Sequence, residues 1–519
     1  MPRTNKPTLP TTTAQQLSSI IKSCRDTMRK DKGLNGDLDR LPMLTWIMFL
    51  KFFDDLETER EVEAQVAGIP FTPVIEAPYR WRNYVGGLHS LTGDELLAFI
   101  NNDEAIRPGG TRGAGLFAYL RSLQGDGQRE VLARVFQGVQ NRFTSGYLLR
   151  DVIDKIGSID FTSSEGIHTL SHLYESMLRE MRDAAGDSGE FYTPRPVIRF
   201  MVKVTDPRLG EVILDPACGT GGFLVESFEH LAKQVHSVEQ RRILQNESLL
   251  GGEAKSLPYL LAQMNLLLHG LESPRIDYGN ALRFRLSEIG EAQRVDIILT
   301  NPPFGGEEER GILGNFPADK QTAETALLFL QLIMRKLKRQ PNAQGRFARA
   351  AIVVPDGTLF ADGVAARIKA ELLTEFNLHT IVRLPSGVFS PYTPIATNLL
   401  FFERSHPTHD LWYYEVSPPQ GKKNYTKTQP IQYEAFTDCI NWWHERTENE
   451  RAWKVSAADL IQRDGAGTVV ALNLDLKNPN GGADLQHRSP EELIESILHK
   501  EQRIAQIMAE IQELIRKRP

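Results

Sequence analysis

The stretch Glu211-Val-Ile-Leu-Asp-Pro-Ala-Cys-Gly-Thr-Gly-Gly-Phe223 decides the fold class of this chain. Its apolar start predicts a buried strand, and the glycines that follow predict a tight loop that opens a helix. Such a loop lets a ligand approach the backbone closely, and the N-terminus of the helix favours polar or anionic groups. A dinucleotide fingerprint would need a third glycine at position 224, where Leu224 stands, so a pyrophosphate cofactor is less favoured.

Asp215 stands at the tip of the predicted strand. Its carboxylate would repel a diphosphate, but it suits a cationic ligand such as the ammonium group of an amino-acid-like cofactor. The loop therefore predicts a cofactor site of that kind. For the loop taken alone, a purely structural glycine turn remains an alternative.

Beyond this loop, short β-branched runs alternate with helical patterns. The runs predict strands at 211–214, 249–252, 274–278, 295–300, 350–354, 379–384, 396–402 and 411–416. The helical patterns fall at 222–234, 255–269, 323–338 and 363–375. This alternation predicts an α/β fold, with helices on both faces of a parallel sheet. The strands at 379–384 and 396–402 follow each other closely and suit an antiparallel edge pair.

Two polar residues follow the next predicted strands. Glu253 ends the second strand, a position from which a carboxylate commonly binds the ribose hydroxyls of a nucleoside. Asn280 follows the third strand and suits a hydrogen bond to an adenine edge. A surface glutamate and a plain turn asparagine are the respective alternatives.

The apolar run Val295-Asp-Ile-Ile-Leu-Thr300 leads into the tetrapeptide Asn301-Pro-Pro-Phe304. Two successive prolines fix the backbone and donate no hydrogen bond, so their carbonyl groups point in set directions. The Asn301 amide oxygen and the Pro302 carbonyl can together accept both hydrogens of an exocyclic amino group. Phe304 can stack on the ring, as expected for a base flipped out of a duplex. The tetrapeptide therefore predicts a site that directs an amino lone pair towards an electrophile.

The flanks of this α/β region have different patterns. Apolar positions at helical spacing predict a helical domain before it, and Ser489-Pro-Glu-Glu492 predicts the capped start of a long amphipathic helix. That helix either packs on its own domain or docks a partner. The predicted organisation is a flexible N-terminus at 1–13, a helical domain at 14–150, a catalytic domain at 151–430, a C-terminal extension at 431–488 and a C-terminal helix at 489–519.

Composition excludes several classes of protein. The 519 residues carry 60 Lys and Arg against 66 Asp and Glu, a net charge of −6, so the chain is not a polycation that grips nucleic acid by charge alone. Three scattered cysteines signal neither a disulfide framework nor a zinc site, which suits a reducing cytoplasm. No apolar run approaches the roughly 20 residues that span a bilayer. We expect no metal site and no membrane contact.

With these residues in view, the chain resembles the amino-group DNA methyltransferases, and specifically the modification subunits of type I restriction-modification systems. The matching motifs are Glu190-Phe-Tyr-Thr-Pro-Arg195, Asp215 to Phe223, Asn265-Leu-Leu-Leu-His-Gly270, Asn301 to Phe304, Val354-Pro-Asp-Gly357 and Leu474-Asp-Leu-Lys-Asn-Pro479. The resemblance implies an S-adenosylmethionine-dependent methyltransferase (Rossmann-like) sheet, an N-terminal all-helical domain and a C-terminal helical tail. It also implies N6 methylation of adenine in a short bipartite DNA site of a prokaryotic cytoplasm.

The resemblance assigns roles position by position. The target adenine would be held by Asn301, Pro302, Pro303 and Phe304. The cofactor S-adenosyl-L-methionine would be lined by Glu190, Phe191, Tyr192, Thr193, Pro194, Arg195, Asp215, Gly219, Thr220, Gly221, Gly222, Glu253 and Asn280. Asn280 departs from the aspartate often found there. The implied partners are double-stranded DNA, a DNA specificity subunit that two copies of this chain clamp, and a restriction subunit for translocation and cleavage, consistent with the lack of a P-loop here.

Two other interpretations use the same motifs. A methyltransferase acting on a protein glutamine or on RNA could employ Asn-Pro-Pro chemistry on a different amide or amine, although the helical domain at 14–150 would then need another purpose. A scaffold could bind the cofactor without catalysing transfer, but intact residues in both motifs speak against it.

Overall fold

The computed structural model describes residues 14–85, 90–125, 127–159, 161, 193–304, 308–390, 393, 395–465, 467 and 469–480. Three sets of predictions lie outside the described residues: the flexible start at 1–13, the cofactor-lining Glu190, Phe191 and Tyr192, and the C-terminal helix at 489–519.

Helices dominate the N-terminal part, as the periodicity predicts. They are α1 (Ala14–Met28), α2 (Asp37–Ala67), α3 (Trp81–Val85), α4 (Gly93–Asn101), α5 (Leu116–Ser122), α6 (Gln128–Gln137) and α7 (Gly146–Gly157). Helix α7 runs across residue 150 and buries Leu149, Val152 and Ile156. Because α7 packs on α1, we extend the helical domain from its predicted end at residue 150 to Gly157.

A small β-ribbon interrupts these helices, so the prediction of an all-helical domain is wrong in this detail. Strand β1 (Glu104–Ile106) pairs antiparallel with β2 (Arg112–Ala114). The loop between them contains Gly109 and Gly110, both with positive φ. The sequence indicates the turn but not the ribbon, because strands of three residues are too short to show a period-2 pattern.

The second part of the chain is an α/β unit, as predicted. Its helices are α8 (Arg195–Thr205), α9 (Gly222–Ala232), α10 (Val238–Asn246), α11 (Ser256–Leu268), α12 (Arg310–Leu313), α13 (Thr325–Lys336), α14 (Asp356–Phe360), α15 (Val364–Glu375) and α16 (Thr437–His444). Its strands are β3 (Ile213–Asp215), β4 (Leu249–Glu253), β5 (Ile276–Tyr278), β6 (Ile297–Thr300), β7 (Arg349–Pro355), β8 (Asn377–Arg383), β9 (Thr397–Glu403), β10 (Asp410–Glu415) and β11 (Ala452–Ser456).

Within the described part of the chain, these strands form one sheet of nine, in the order β11-β10-β8-β9-β7-β6-β3-β4-β5. Strands β5, β4, β3, β6 and β7 are parallel. The predicted antiparallel pair of β8 and β9 is confirmed, but its predicted place at the edge is wrong. Strand β9 lies inside the sheet between β7 and β8, which its continuous apolar run from Leu399 to Phe402 explains, since a strand covered on both faces need not alternate.

Alternate residues of the central strands serve two separate cores. Ala351 and Val353 of β7 join a core that includes α8, α9, α11 and the N-terminal helices. Ile352 and Val354, on the opposite face, pack against α13 and α15. This period-2 division places helices on both faces of the sheet. The N-terminal helices are therefore anchored on the α11 face, where Arg60 of α2 pairs with Glu272 just after α11.

The chain order produces a crevice at the middle of the sheet. From β3 the chain runs outward through β4 and β5, then returns to β6 on the other side of β3. In open α/β sheets, ligands bind at the carboxyl ends of the strands at such a reversal. The ends of β3 and β6 are the positions of Asp215 and Thr300, immediately before the two motifs that the sequence singles out.

The region after residue 430 continues the α/β unit. Strand β11 extends the main sheet, and the short pair β12 (Ile461–Arg463) and β13 (Val469–Leu472) packs on α15. Among the helices that the structure describes, none is long and apolar enough to cross a membrane.

Candidate active site

A cavity of about 260 Å³ opens at the carboxyl ends of β3, β4 and β6. It brings together many of the predicted site residues, namely Thr193, Arg195, Asp215, Gly219, Thr220, Gly222, Glu253, Asn280, Asn301 and Pro303. Pro194, Gly221, Pro302 and Phe304 do not line this cavity. The sequence therefore predicts the location of the cavity, although not every residue of each motif reaches it.

The glycine loop is held from two neighbouring helices. Asn265 of α11 donates from its side-chain amide to the Thr220 carbonyl oxygen at 2.8 Å. Arg195, at the start of α8, donates to the Gly222 carbonyl oxygen at 2.8 Å. Gly221 has a φ of 79°, a left-handed conformation that favours glycine. A side chain at Gly222 would meet the Ile198 Cδ1 atom at 2.6 Å, so the Ile198 side chain would have to shift to admit it.

Glu253 joins the end of β4 to the loop. One carboxylate oxygen accepts from the Gly219 backbone N–H at 3.0 Å, and the other accepts from the Lys255 backbone N–H at 2.8 Å. Burial raises the pKa of Glu253 above its ordinary value, while these two hydrogen bonds oppose that rise. Glu253 is thus a buried, positioned carboxylate that lines the cavity, and the alternative of a surface glutamate is wrong.

Asp215 is almost fully buried at the tip of β3. Its carboxylate accepts from the Thr300 hydroxyl at 2.7 Å and from the Ala217 backbone N–H at 3.2 Å. Burial raises the pKa of Asp215 to about 7, with a further contribution from the negative charge of Glu253, while the Thr300 hydrogen bond acts in the opposite direction. A cation bound nearby would stabilise the ionised form.

Asn301 follows β6, and the two ends of its side-chain amide differ in their hydrogen bonding. The amide nitrogen donates to the Thr193 hydroxyl oxygen at 3.0 Å. The amide oxygen is buried and has no hydrogen-bond partner among the described residues. An unsatisfied buried acceptor is costly. Several other described side chains also have a buried polar atom without a partner, but among the residues that line the cavity only Asn301 does. Here the acceptor lies in a residue that lines the cavity, so a ligand amino group can satisfy it.

Phe304, at the end of the tetrapeptide, packs edge to face against Phe389, with ring centroids 5.7 Å apart and an interplanar angle of 76°. It remains partly exposed. Its ring is thus supported on one side by the segment that follows β8 and keeps some surface free for a further contact.

Asn280 serves the local backbone. Its amide oxygen accepts from the Leu282 N–H at 2.9 Å, and its amide nitrogen donates to Glu308 at 3.2 Å. Although it lines the cavity, its acceptor is engaged within the chain. Glu308, which also lines the cavity, is a residue that the sequence analysis missed.

Asn265 and Thr300 are further residues to which the sequence analysis gave no role. Asn265 lies in a motif quoted for the resemblance, and Thr300 is the last residue of the strand before Asn301. The only sequence signal for Thr300 is its position, because a polar residue at the end of a buried apolar strand needs a partner. Among the residues described, no group of three or more His, Cys, Asp or Glu side chains is arranged to hold a metal ion.

Comparison with known proteins identifies the family of this chain. The family model described as N-6 DNA Methylase matches residues 165–472, more than half of the chain. The chain belongs to this family. The matched range contains the glycine loop, Glu253 and the Asn-Pro-Pro-Phe tetrapeptide.

Similar proteins narrow the family further. The type I restriction enzyme EcoEI methylase subunit of Escherichia coli is 44% identical over 512 residues, covering 96% of this chain and 97% of that one. A modification subunit of a putative type I restriction enzyme from Vibrio vulnificus YJ016 superposes with a TM-score of 0.84 at 67% identity, covering 92% of this chain and 99% of that one.

A structure described under complex assembly and conformational transition of the type I R-M system superposes with a TM-score of 0.75 at 38% identity, covering 98% of this chain and 100% of that one. The chain is thus an N6-adenine DNA methyltransferase, the modification subunit of a type I restriction-modification system. The predicted family, fold class and activity are confirmed.

Proposed function

We propose that this cavity transfers a methyl group from S-adenosylmethionine to N6 of a flipped adenine, with Asn301 as the residue that receives the target amino group. One observation carries the assignment: the buried Asn301 amide oxygen has no partner among the described residues, while its amide nitrogen is already engaged by Thr193. An acceptor left open at the end of a central strand suits a substrate that brings its own N–H groups.

The residues of the cavity fit this cofactor. Asp215 is a buried carboxylate with a raised pKa. The positive charge of an ammonium group bound beside it would stabilise its ionised form. Glu253, on the next strand, would hold the ribose hydroxyls with its carboxylate, which the Gly219 and Lys255 amides keep in place. The start of α9 offers backbone N–H groups behind the glycine loop. When bound, the cofactor supplies an electrophilic methyl group on a sulfonium.

The chain contributes orientation and hydrogen-bond acceptors. The Asn301 oxygen, which lines the cavity, and the carbonyl of the adjoining Pro302, which lies beside the cavity lining, would accept the two hydrogens of the adenine amino group. These contacts would draw its lone pair out of conjugation with the ring and towards the methyl group. Because the sulfonium makes the methyl group electrophilic, no charged base is needed before the attack. Phe304, supported by Phe389, stacks on the flipped base.

The experiment that tests this proposal is methyl transfer by the Asn301→Ala variant, with the chain co-expressed with its specificity subunit. We expect the rate of transfer to unmodified DNA to fall by about a thousandfold, since the substitution removes an interaction made at the reacting nitrogen. Calorimetry should show unchanged cofactor affinity. Asn246→Ala, on the exposed end of α10, is the matched control.

Unchanged DNA methylation by Asn301→Ala would overturn the assignment and favour a chain that only binds cofactor. Parallel assays with RNA and with protein as methyl acceptors test the other alternative. Transfer to either of these in place of DNA would contradict the proposed substrate.

We further propose that two copies of the chain bind one DNA specificity subunit, that a restriction subunit joins them, and that the predicted helix at 489–519 docks onto the specificity subunit. The net charge of −6 supports this arrangement, because phosphate contacts normally dominate DNA affinity and a partner can supply them. Truncation before Ser489 should abolish co-purification with the specificity subunit and leave cofactor binding intact. Co-purification of the truncated chain would place the docking surface elsewhere.

A further inference from the structure

The hydrogen bond between Thr193 and Asn301 joins two motifs that lie 108 positions apart in the sequence. Thr193 belongs to the segment that the sequence analysis assigned to the cofactor. In the structure its hydroxyl oxygen accepts from the Asn301 amide nitrogen at 3.0 Å. The contact therefore connects Thr193 with the residue that receives the target base.

Asn301 can accept from the target amino group only if the oxygen end of its amide faces the base. A carboxamide has an oxygen acceptor at one end and an NH2 donor at the other, and the two ends are almost equal in size. With the nitrogen towards the adenine, two donors would face each other. In the structure the nitrogen end is held by the Thr193 hydroxyl, and the oxygen end has no partner among the described residues, so the side chain is fixed with its acceptor open.

Thr193 is itself held firmly. Pro194 follows it and restricts its backbone to extended conformations. Helix α8 begins two residues later and buries Val197 and Ile198. Arg195 ties the start of that helix to the Gly222 carbonyl oxygen. The hydroxyl is thus fixed relative to the glycine loop, as a group that orients another side chain must be.

We propose that Thr193 is a positioning residue that holds the Asn301 side chain in place and leaves its amide oxygen open to the target amino group. The proposal rests on the proposed function, because it requires that Asn301 accepts from the adenine. The sequence assigned Thr193 to the cofactor site. In the positioning role, its main effect is on the methyl-transfer step, and its effect on cofactor binding is small.

The test compares Thr193→Val, which removes the hydroxyl at nearly constant shape, with Thr193→Ser, which restores it. For the full chain with its specificity subunit, we expect Thr193→Val to lower the single-turnover rate at saturating cofactor and DNA by about tenfold or more, as for a lost preorganising hydrogen bond. The cofactor dissociation constant from calorimetry should stay within about threefold of that of the natural chain. Thr193→Ser should recover most of the rate.

Thr205→Val is the matched control, since Thr205 lies at the other end of α8 and its hydroxyl has no partner among the described residues. Equal thermal unfolding of both valine variants would show that α8 is intact in each.

A large rise in the cofactor dissociation constant of Thr193→Val, with an unchanged rate at saturation, would overturn the proposal and make Thr193 a cofactor contact. Unchanged values of both quantities would also overturn it. The Asn301→Ala variant, measured alongside, distinguishes failure of the proposed function from failure of the positioning role. If Asn301→Ala keeps its rate, the proposed function fails. If Asn301→Ala is slow but Thr193→Val is fast, only the positioning role of Thr193 is rejected.

Discussion

The two halves of the cavity differ in how far the chain satisfies its own polar groups. On the β3–β4 side, the Asp215 and Glu253 carboxylates accept hydrogen bonds from within the chain and are fixed before any ligand arrives. On the β6 side, the buried Asn301 oxygen has no partner among the described residues. The polar groups of the first half are therefore positioned before a ligand binds, whereas the acceptor of the second half gains its hydrogen-bond partner from the ligand.

This difference matches the demands of the two ligands. A cofactor that must be held in one orientation benefits from preorganised partners, because ordering them costs nothing at the moment of binding. A target base that must be admitted and released needs an acceptor that no internal donor occupies. Substitutions in the two halves should therefore affect different measured quantities.

The largest effect on cofactor binding should come from Glu253→Gln. An NH2 group would replace one oxygen that now accepts a backbone N–H, leaving that buried donor without a partner. We expect cofactor affinity to fall by about a hundredfold, within the roughly 1–3 kcal/mol that such a loss costs. Calorimetry measures this, with the exposed Glu247→Gln as control. A normal affinity in Glu253→Gln would contradict the description of this half.

Cofactor affinity should also depend on pH through Asp215. Burial raises its pKa to about 7, and a cationic ligand favours the ionised form. Below this value the carboxyl group must lose its proton before binding, so affinity should fall by up to about tenfold per pH unit as the pH decreases, and level off above about pH 7.5. Asp215→Asn should bind weakly at every pH. Calorimetric titrations between about pH 6 and 8.5 test this, and a flat profile for the natural chain would reject it.

Phe304→Ala should weaken binding of target DNA by about tenfold, since a base stacked on an aromatic side chain contributes about 1–3 kcal/mol. Cofactor affinity should change little. Phe347→Ala is the control, because Phe347 is an exposed phenylalanine just before β7, at the opposite end of the sheet. The measurement is DNA affinity beside cofactor calorimetry. A large loss of cofactor affinity in Phe304→Ala would place this ring in the other half.

The smallest effect should come from Asn265→Ala, which removes the hydrogen bond to the Thr220 carbonyl oxygen but leaves the glycines of the loop intact. We expect cofactor affinity to fall by a few fold, corresponding to about 1 kcal/mol. The transfer rate at saturating cofactor should stay near that of the natural chain. A loss of rate without a loss of affinity would show that Asn265 acts on the target half instead.

Much of the fold could be predicted because it depends on local patterns. The strands leading to Asp215, Glu253 and Asn301 are short apolar runs bounded by turn residues, and each is found within a few positions of its prediction. The internal position of β9 could not be predicted, because strand order is fixed by contacts between distant residues. The β1–β2 ribbon and α14 were missed because they are too short to show periodicity.

The site was predictable where a residue type is tied to a chemistry, and not where two motifs meet. Glycines after a strand and asparagine before two prolines identify the two halves from sequence. The Thr193–Asn301 and Thr300–Asp215 hydrogen bonds connect residues that are far apart in the chain, so no spacing rule reveals them. The sequence suggested a contact between Asn280 and an adenine edge, but the Asn280 amide oxygen accepts a hydrogen bond from the adjacent turn instead.

The measurement that tests this division most directly determines two quantities, cofactor affinity and single-turnover rate at saturation, for Glu253→Gln and Asn301→Ala side by side. The predicted result is a crossover: Glu253→Gln loses affinity and keeps its rate once saturated, whereas Asn301→Ala keeps affinity and loses rate. Loss of both quantities in both variants would contradict the account, because the two halves would then act as one unit.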